Sequence, residues 1–139
     1  MEHGDNRART LDPGLIHDVF VQFPEVMAVY LFGSTASGKN DARSDLDLAV
    51  IPREKGLKID KLKILTELAR IGLCRVDLVV LDTTDVVLKY EAVCQNQVIY
   101  QTDEFDRGAT YSRIVREYLD FLPYLERQRK AYKQRLLHG

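Results

Sequence analysis

Short apolar runs of strand length alternate along this chain with stretches whose apolar residues recur at helical spacing. Val26-Met27-Ala28-Val29-Tyr30-Leu31-Phe32 is one such run, bounded by Pro24 and by Gly33-Ser34. Asp45-Leu46-Asp47-Leu48-Ala49-Val50-Ile51 reads as a second strand, closed by Pro52, which has no N–H to give a sheet ladder. Arg75 to Leu81 is a third, and Val98-Ile99-Tyr100 a short fourth. Between the second and third runs the period changes. Ile59, Leu62, Leu65, Leu68, Ala69 and Leu73 predict an amphipathic helix over Leu57 to Leu73, packed on the sheet and ended at Gly72. Asp12-Pro13 is the pattern of an N-cap followed by a first-turn proline, opening a short helix to about Phe23, and Thr83-Thr84-Asp85 offers a cap for another running to about Gln95. Beyond Asp103 the pattern is helical nearly to the end, with an apolar stripe of Ile114, Val115, Tyr118, Leu119, Leu122 and Leu125. Pro123 is expected to kink that helix. Helix alternating with strand, without repeats or a linker, predicts one α/β (α+β) domain over 1–139. Its core runs from about 12 to 102, and a long C-terminal helical segment from about 103 to 137.

Composition narrows the classes. A chain of 139 residues, 45% apolar and 29% charged, is of a size to build one core. Its net charge of −1 provides no broad positive field, which disfavours direct nucleic-acid binding by counterion release. Cys74 and Cys94 lack a disulfide or zinc spacing and are expected to be buried, reduced thiols. No signal core or long apolar span occurs in the sequence, so no membrane association is expected and the expected location is the cytoplasm.

The candidate chemistry sits at the ends of the strands. Side chains two apart on a strand share a face, so Asp45 and Asp47 project together while Leu46 and Leu48 turn the other way. Two close carboxylates repel unless a divalent cation neutralises them, and magnesium prefers such oxygen ligands. Asp77, flanked by Val76 and Leu78, stands in an apolar setting and joins the pair if its strand neighbours the second. Three carboxylates can hold two metal ions, the arrangement that stabilises both attacking and leaving oxygens in phosphoryl transfer. Gly33-Ser34 lies at a strand-to-helix turn, where free backbone N–H groups and a hydroxyl make an anion cradle.

Gly33-Ser34, then ten residues, then Asp45-Leu46-Asp47, with Asp77 in a later strand, resembles the signature of the polymerase-β-like nucleotidyltransferase superfamily. Leu31 to Gly38 together with Arg43-Ser44-Asp45-Leu46-Asp47-Leu48 is similar in particular to the minimal nucleotidyltransferases, or MNT proteins. The resemblance spans roughly residues 12 to 102. It implies a polymerase-β-like fold, a small mixed sheet with flanking helices, with Gly33 and Ser34 on the triphosphate, Asp45 and Asp47 on two Mg2+ ions, and Asp77 on the catalytic metal, favouring acceptor deprotonation. It further implies ATP as nucleotide donor, and a HEPN-family RNase toxin as partner in a hetero-oligomer, silenced by adenylylation of a tyrosine.

Other residues carry weaker signals. Lys39 and Arg43 lie in the loop between cradle and carboxylates, where a cation can reach phosphate oxygens or be simply solvated. His3, His17 and His138 are scattered and expected at the surface, while Asp41 and Asp82 have turn or cap readings. Tyr111, Tyr118, Phe121, Tyr124 and Tyr132 on the last helix suit either its own core or a partner. Arg127, Arg129, Lys130, Lys133 and Arg135 form a basic end. Two alternatives stand beside the adenylyltransferase reading. One is a non-catalytic antitoxin whose last helix masks its partner. The other is a small-molecule nucleotidyltransferase like those acting on aminoglycosides, for which this chain is short.

Overall fold

The computed structural model describes residues 12–33, 46–82 and 85–138. Asp12 caps helix α1 (Pro13–Phe20), its Oδ1 accepting from Gly14 N at 2.8 Å. Strands β1 (Val26–Phe32) and β2 (Leu46–Pro52) follow. Helix α2 covers Lys61–Arg70, strand β3 Val76–Val80, helix α3 Val86–Cys94, strand β4 Gln97–Gln101 and helix α4 Arg107–His138. The sheet order is β3-β2-β1-β4. β1 pairs antiparallel with β2 and with β4, whereas β2 and β3 are parallel, so the sheet is mixed, as the family resemblance implies.

A parallel pair needs a crossover. Here α2 supplies it and, with α1, covers one face of the sheet. Ile16, Val19, Phe20, Ile64 and Leu68 from these helices pack on Val29, Leu48, Val50 and Leu78. The other face takes α3 and α4, whose Ala92, Val93 and Ile114 pack with Ala28, Tyr30, Ala49 and Ile51. Strand alternation accounts for most of the division, and it is interrupted where the register shifts, at Met27-Ala28 in β1 and Ile99-Tyr100 in β4.

Several expectations change. The second helix begins at Lys61 rather than Leu57, because the Asp60 carboxylate accepts from Lys63 N at 3.1 Å and caps it there. Ile59 still packs on the core, but from outside the helix, and Leu62 is 76% exposed. Gly72, with φ of +98°, follows the last turn as anticipated. The first helix stops at Phe20, three residues short of the expected end. Cys74 and Cys94 are exposed, not buried: they fall on the outward side of segments whose other residues supply the core. On α4, Leu119 is 57% exposed although it belongs to the apolar stripe by sequence, and the helix continues through Pro123. Tyr118 faces inward, its ring stacked on Tyr90 at 3.9 Å, beside a Lys89–Glu117 ion pair of 3.0 Å. Past Leu125, residues 126–137 are all exposed. No helix among the described residues is long and apolar enough to cross a membrane.

Candidate active site

One end of the sheet gathers the C-terminus of β1 and the N-termini of β2 and β3. Phe32 stands opposite Asp47 across the antiparallel pair, and Asp47 stands opposite Asp77 across the parallel pair. Residues in register on neighbouring strands share a face, with backbones about 4.8 Å apart. Asp47 and Asp77 are therefore side by side, on the face that α3 and α4 cover farther along. Leu46 N donates to Arg75 O at 2.8 Å, fixing the start of the parallel ladder just before both carboxylates. Leu48 and Leu78, one step on, point into the opposite layer and are buried.

Gly33 completes the described part of this end. Its φ of +76° lies in the left-handed region, where a side chain is disfavoured. An added Cβ would also run into the Asp47 carboxylate, reaching Oδ2 and coming within 3.2 Å of Cγ. Glycine is thus required twice, by backbone conformation and by the aspartate lying against it. The Gly33 turn and the Asp47 side chain thus lie directly against each other.

The environment of Asp77 departs from expectation. Its neighbours in sequence are apolar, yet the residue is exposed, because β3 is an edge strand and the end of the sheet is open there. Asp47, between two strands, is half-buried. Ser34, Lys39, Asp41, Arg43 and Asp45 lie outside the described residues, so the phosphate loop and the third carboxylate are not part of the observed geometry. Asp82 is in an exposed turn and His17 on an exposed surface of α1, its ring 5.5 Å from that of Tyr100.

Phe32 is the residue that sequence reasoning passed over. It is half-buried on the same face as Asp47 and directly beside it, and only the antiparallel register reveals this. Tyr30, two residues earlier on that face, is fully buried against Phe105, and its hydroxyl has no hydrogen-bond partner among the described residues. Burial raises its pKa above the ordinary value, a tendency that the Arg107 charge opposes.

Magnesium suits what is present. Asp47 and Asp77 stand in register on adjacent strands and offer the hard oxygen donors that this ion prefers. Asp47 and Asp77 would hold such an ion, with Asp45 adjoining them by sequence.

Residues 15–105 match the family model described as "Polymerase beta, Nucleotidyltransferase". The chain belongs to this nucleotidyltransferase family. Among curated proteins, this nucleotidyltransferase is similar to the protein adenylyltransferase MntA of Shewanella oneidensis, at 31% identity over 83 residues. That match covers 60% of this chain and spans 60% of the relative's length. Among solved structures, a chain of a crystal structure of a toxin–antitoxin with AMP-PNP superposes with a TM-score of 0.69 at 24% identity, over 91% of this chain and 98% of that one. A chain from the tri-AMPylated Shewanella oneidensis HEPN toxin in complex with MNT antitoxin gives 0.59 at 22% identity, over 90% and 98%. These likenesses show that the chain shares the fold of those chains.

Proposed function

We propose that this chain is a magnesium-dependent protein adenylyltransferase that moves AMP from ATP onto a tyrosine of a partner HEPN RNase toxin, neutralising it as an antitoxin. The observation that carries the reading is the register of Asp47 with Asp77 beside the Gly33 turn, on a chain of nucleotidyltransferase family. The adenylyltransferase activity of the relative MntA supports the choice of reaction. The reading takes residues 1–139 as one domain working in the cytoplasm, with its partner in a hetero-oligomer.

In this scheme Gly33 and Ser34 bind the triphosphate through backbone N–H groups and a hydroxyl, and Lys39 and Arg43 reach its oxygens. The tyrosine oxygen attacks the α-phosphorus, and the bond from that phosphorus to the bridging oxygen of the β-phosphate breaks. Pyrophosphate leaves, while the phenolic proton passes toward Asp77 and on to solvent. Two Mg2+ ions on Asp45, Asp47 and Asp77 would offset charge on the attacking and leaving oxygens. Close register keeps the carboxylates preorganised, so little rearrangement accompanies the transfer.

The test is incubation of the purified chain with ATP labelled at the α-phosphate, magnesium and the purified HEPN partner. Label on a partner tyrosine, lost with Asp47→Asn or Asp77→Asn, is the expected result. Absence of transfer under conditions where the partner binds overturns the proposal. Neutralisation that survives both substitutions but fails on truncation near Thr110 would instead identify a masking antitoxin.

A further inference from the structure

The apolar stripe of α4 does not stop where its packing stops. Tyr118, Leu122 and Leu125 are partly buried against the rest of the molecule, and the same alternation of four and three residues continues through Arg129, Tyr132 and Leu136. There it meets solvent: Tyr132 is 57% and Leu136 66% exposed. The stripe therefore continues past the surface that covers its first half.

The direction of the tail follows from three contacts. Arg107, at the start of α4, donates from Nε to Asn96 Oδ1 at 2.9 Å, just before β4 begins at the catalytic end of the sheet. Glu117 meets Lys89 and Tyr118 meets Tyr90, so α4 runs antiparallel to α3, toward Val86 and the far end of β3. Residues after Leu125 thus pass the start of α3 and lead away from the catalytic end, over about 18 Å at 1.5 Å per residue.

Charge specifies what can cover this tail. Residues 126–139 hold five basic side chains (Arg127, Arg129, Lys130, Lys133, Arg135) and one acidic one (Glu126), a net +4. The other fifteen basic and twenty acidic residues leave 1–125 at net −5. Two tails lying only on each other would repel, and the tail's own body is behind it. Close to the base of the tail, the outer side of α3 and the turn before it expose Asp82, Asp85 and Glu91. The cation among them, Lys89, is 13% exposed and is bonded to Glu117. In charge, this patch is the complement of the tail.

We propose that the protein forms a homodimer in which the basic, Tyr132- and Leu136-bearing tail of α4 of each copy docks on the acidic start of α3 of the other. Tyr132 and Leu136 lose solvent in the contact, and Arg129, Lys130 and Lys133 meet Asp82, Asp85 and Glu91. The catalytic ends face outward on opposite sides of such a dimer, so dimerisation leaves the carboxylates accessible.

Sedimentation equilibrium of the full chain at high micromolar concentration tests this. A dimer mass at low salt is expected, with the dimer roughly tenfold weaker at high salt because surface charge pairs are screened. Arg129→Glu with Lys133→Glu should give a monomer with an unchanged circular dichroism spectrum, since both residues are exposed. Adding Asp82→Lys and Glu91→Lys should restore the dimer, which a merely structural tail would not do. Tyr132→Ser with Leu136→Ser should weaken the dimer without altering its salt dependence. A wild-type monomer at both salt concentrations overturns the proposal, including the case in which the tail engages only RNA or only the HEPN partner. A dimer that persists in the double charge reversal also overturns it.

Discussion

The two faces of the sheet use the same strands for opposite purposes. Toward α1 and α2, β2 and β3 present Leu46, Leu48, Val50 and Leu78, all buried in one apolar layer. Toward α3 and α4, the intervening positions change along their length: Asp47 and Asp77 at the open end, then Ala49, Ile51 and Val79 under the helices. Every carboxylate thus stands one residue from a core leucine. Period-two geometry lets a strand anchor a site without surrendering its core, since chemistry and packing occupy alternate residues.

Neutralising a carboxylate should separate the two faces most sharply. Asp47→Asn or Asp77→Asn is expected to lower AMP transfer by about a hundredfold or more, because metal-assisted charge stabilisation is worth several kcal/mol. For Asp77→Asn the melting temperature should hardly change, as Asp77 is exposed. Comparable loss of fold and activity in urea melts and transfer assays would show that the faces are not separable.

The reverse experiment is Leu48→Ala, which empties a fully buried position beside Asp47. Destabilisation of about 2–5 kcal/mol by urea unfolding is expected, with transfer by the remaining folded protein much less affected. Gly33→Ala sits between the faces. The left-handed backbone should cost about 1–2 kcal/mol, and the new methyl group should displace the Asp47 carboxylate, so stability and transfer should fall together. On the α1/α2 side, Asp60→Ala removes a cap far from the chemistry and should cost about 1 kcal/mol with transfer unchanged.

Tyr30→Phe should have the smallest effect near neutral pH, within about 1 kcal/mol, because the deleted hydroxyl has no described partner to lose. Its signature is alkaline. The folded protein holds the Tyr30 phenol protonated beyond its ordinary pKa of 10.0, so ionisation favours the unfolded chain. Stability is complete below about pH 10 and declines as pH rises through the raised value. Chemical denaturation at alkaline pH should therefore show a shallower decline for Tyr30→Phe than for the wild type.

Much of this arrangement was legible in the residues. Val26–Phe32 emerged as a strand with its predicted bounds, and β2 runs one residue past the expected Ile51, to Pro52, while its expected first residue, Asp45, lies outside the described residues. Compact apolar runs between proline and glycine leave few alternatives. The mixed sheet and the closeness of Asp47 to Asp77 depend on pairing between distant segments, so the sequence supported them only through a family resemblance. Other features resisted reading because burial is set by neighbours. Asp77 lies among valines and leucines yet is exposed, since β3 has a strand on only one side. Cys74 and Cys94 misled for the same reason. Leu62 fits the helical period by sequence, but α2 turns Ile64 and Leu68 to the core instead, and Leu119 falls outside the arc that buries Ile114. The third carboxylate, Asp45, and the cradle residue Ser34 remain sequence arguments.

Pro123 gives α4 a mechanical property that its length alone would not. A proline N has no hydrogen to offer, so the Leu119 carbonyl four residues earlier loses its helical partner. Both residues are exposed, which lets water take up the freed carbonyl. A bend in α4 therefore costs least at this joint, between the turns clamped by Ile114 and Tyr118 and the exposed tail. A load applied near Leu136 would bend that joint before it disturbed the aspartates, sparing the chemistry from movements at the far tip.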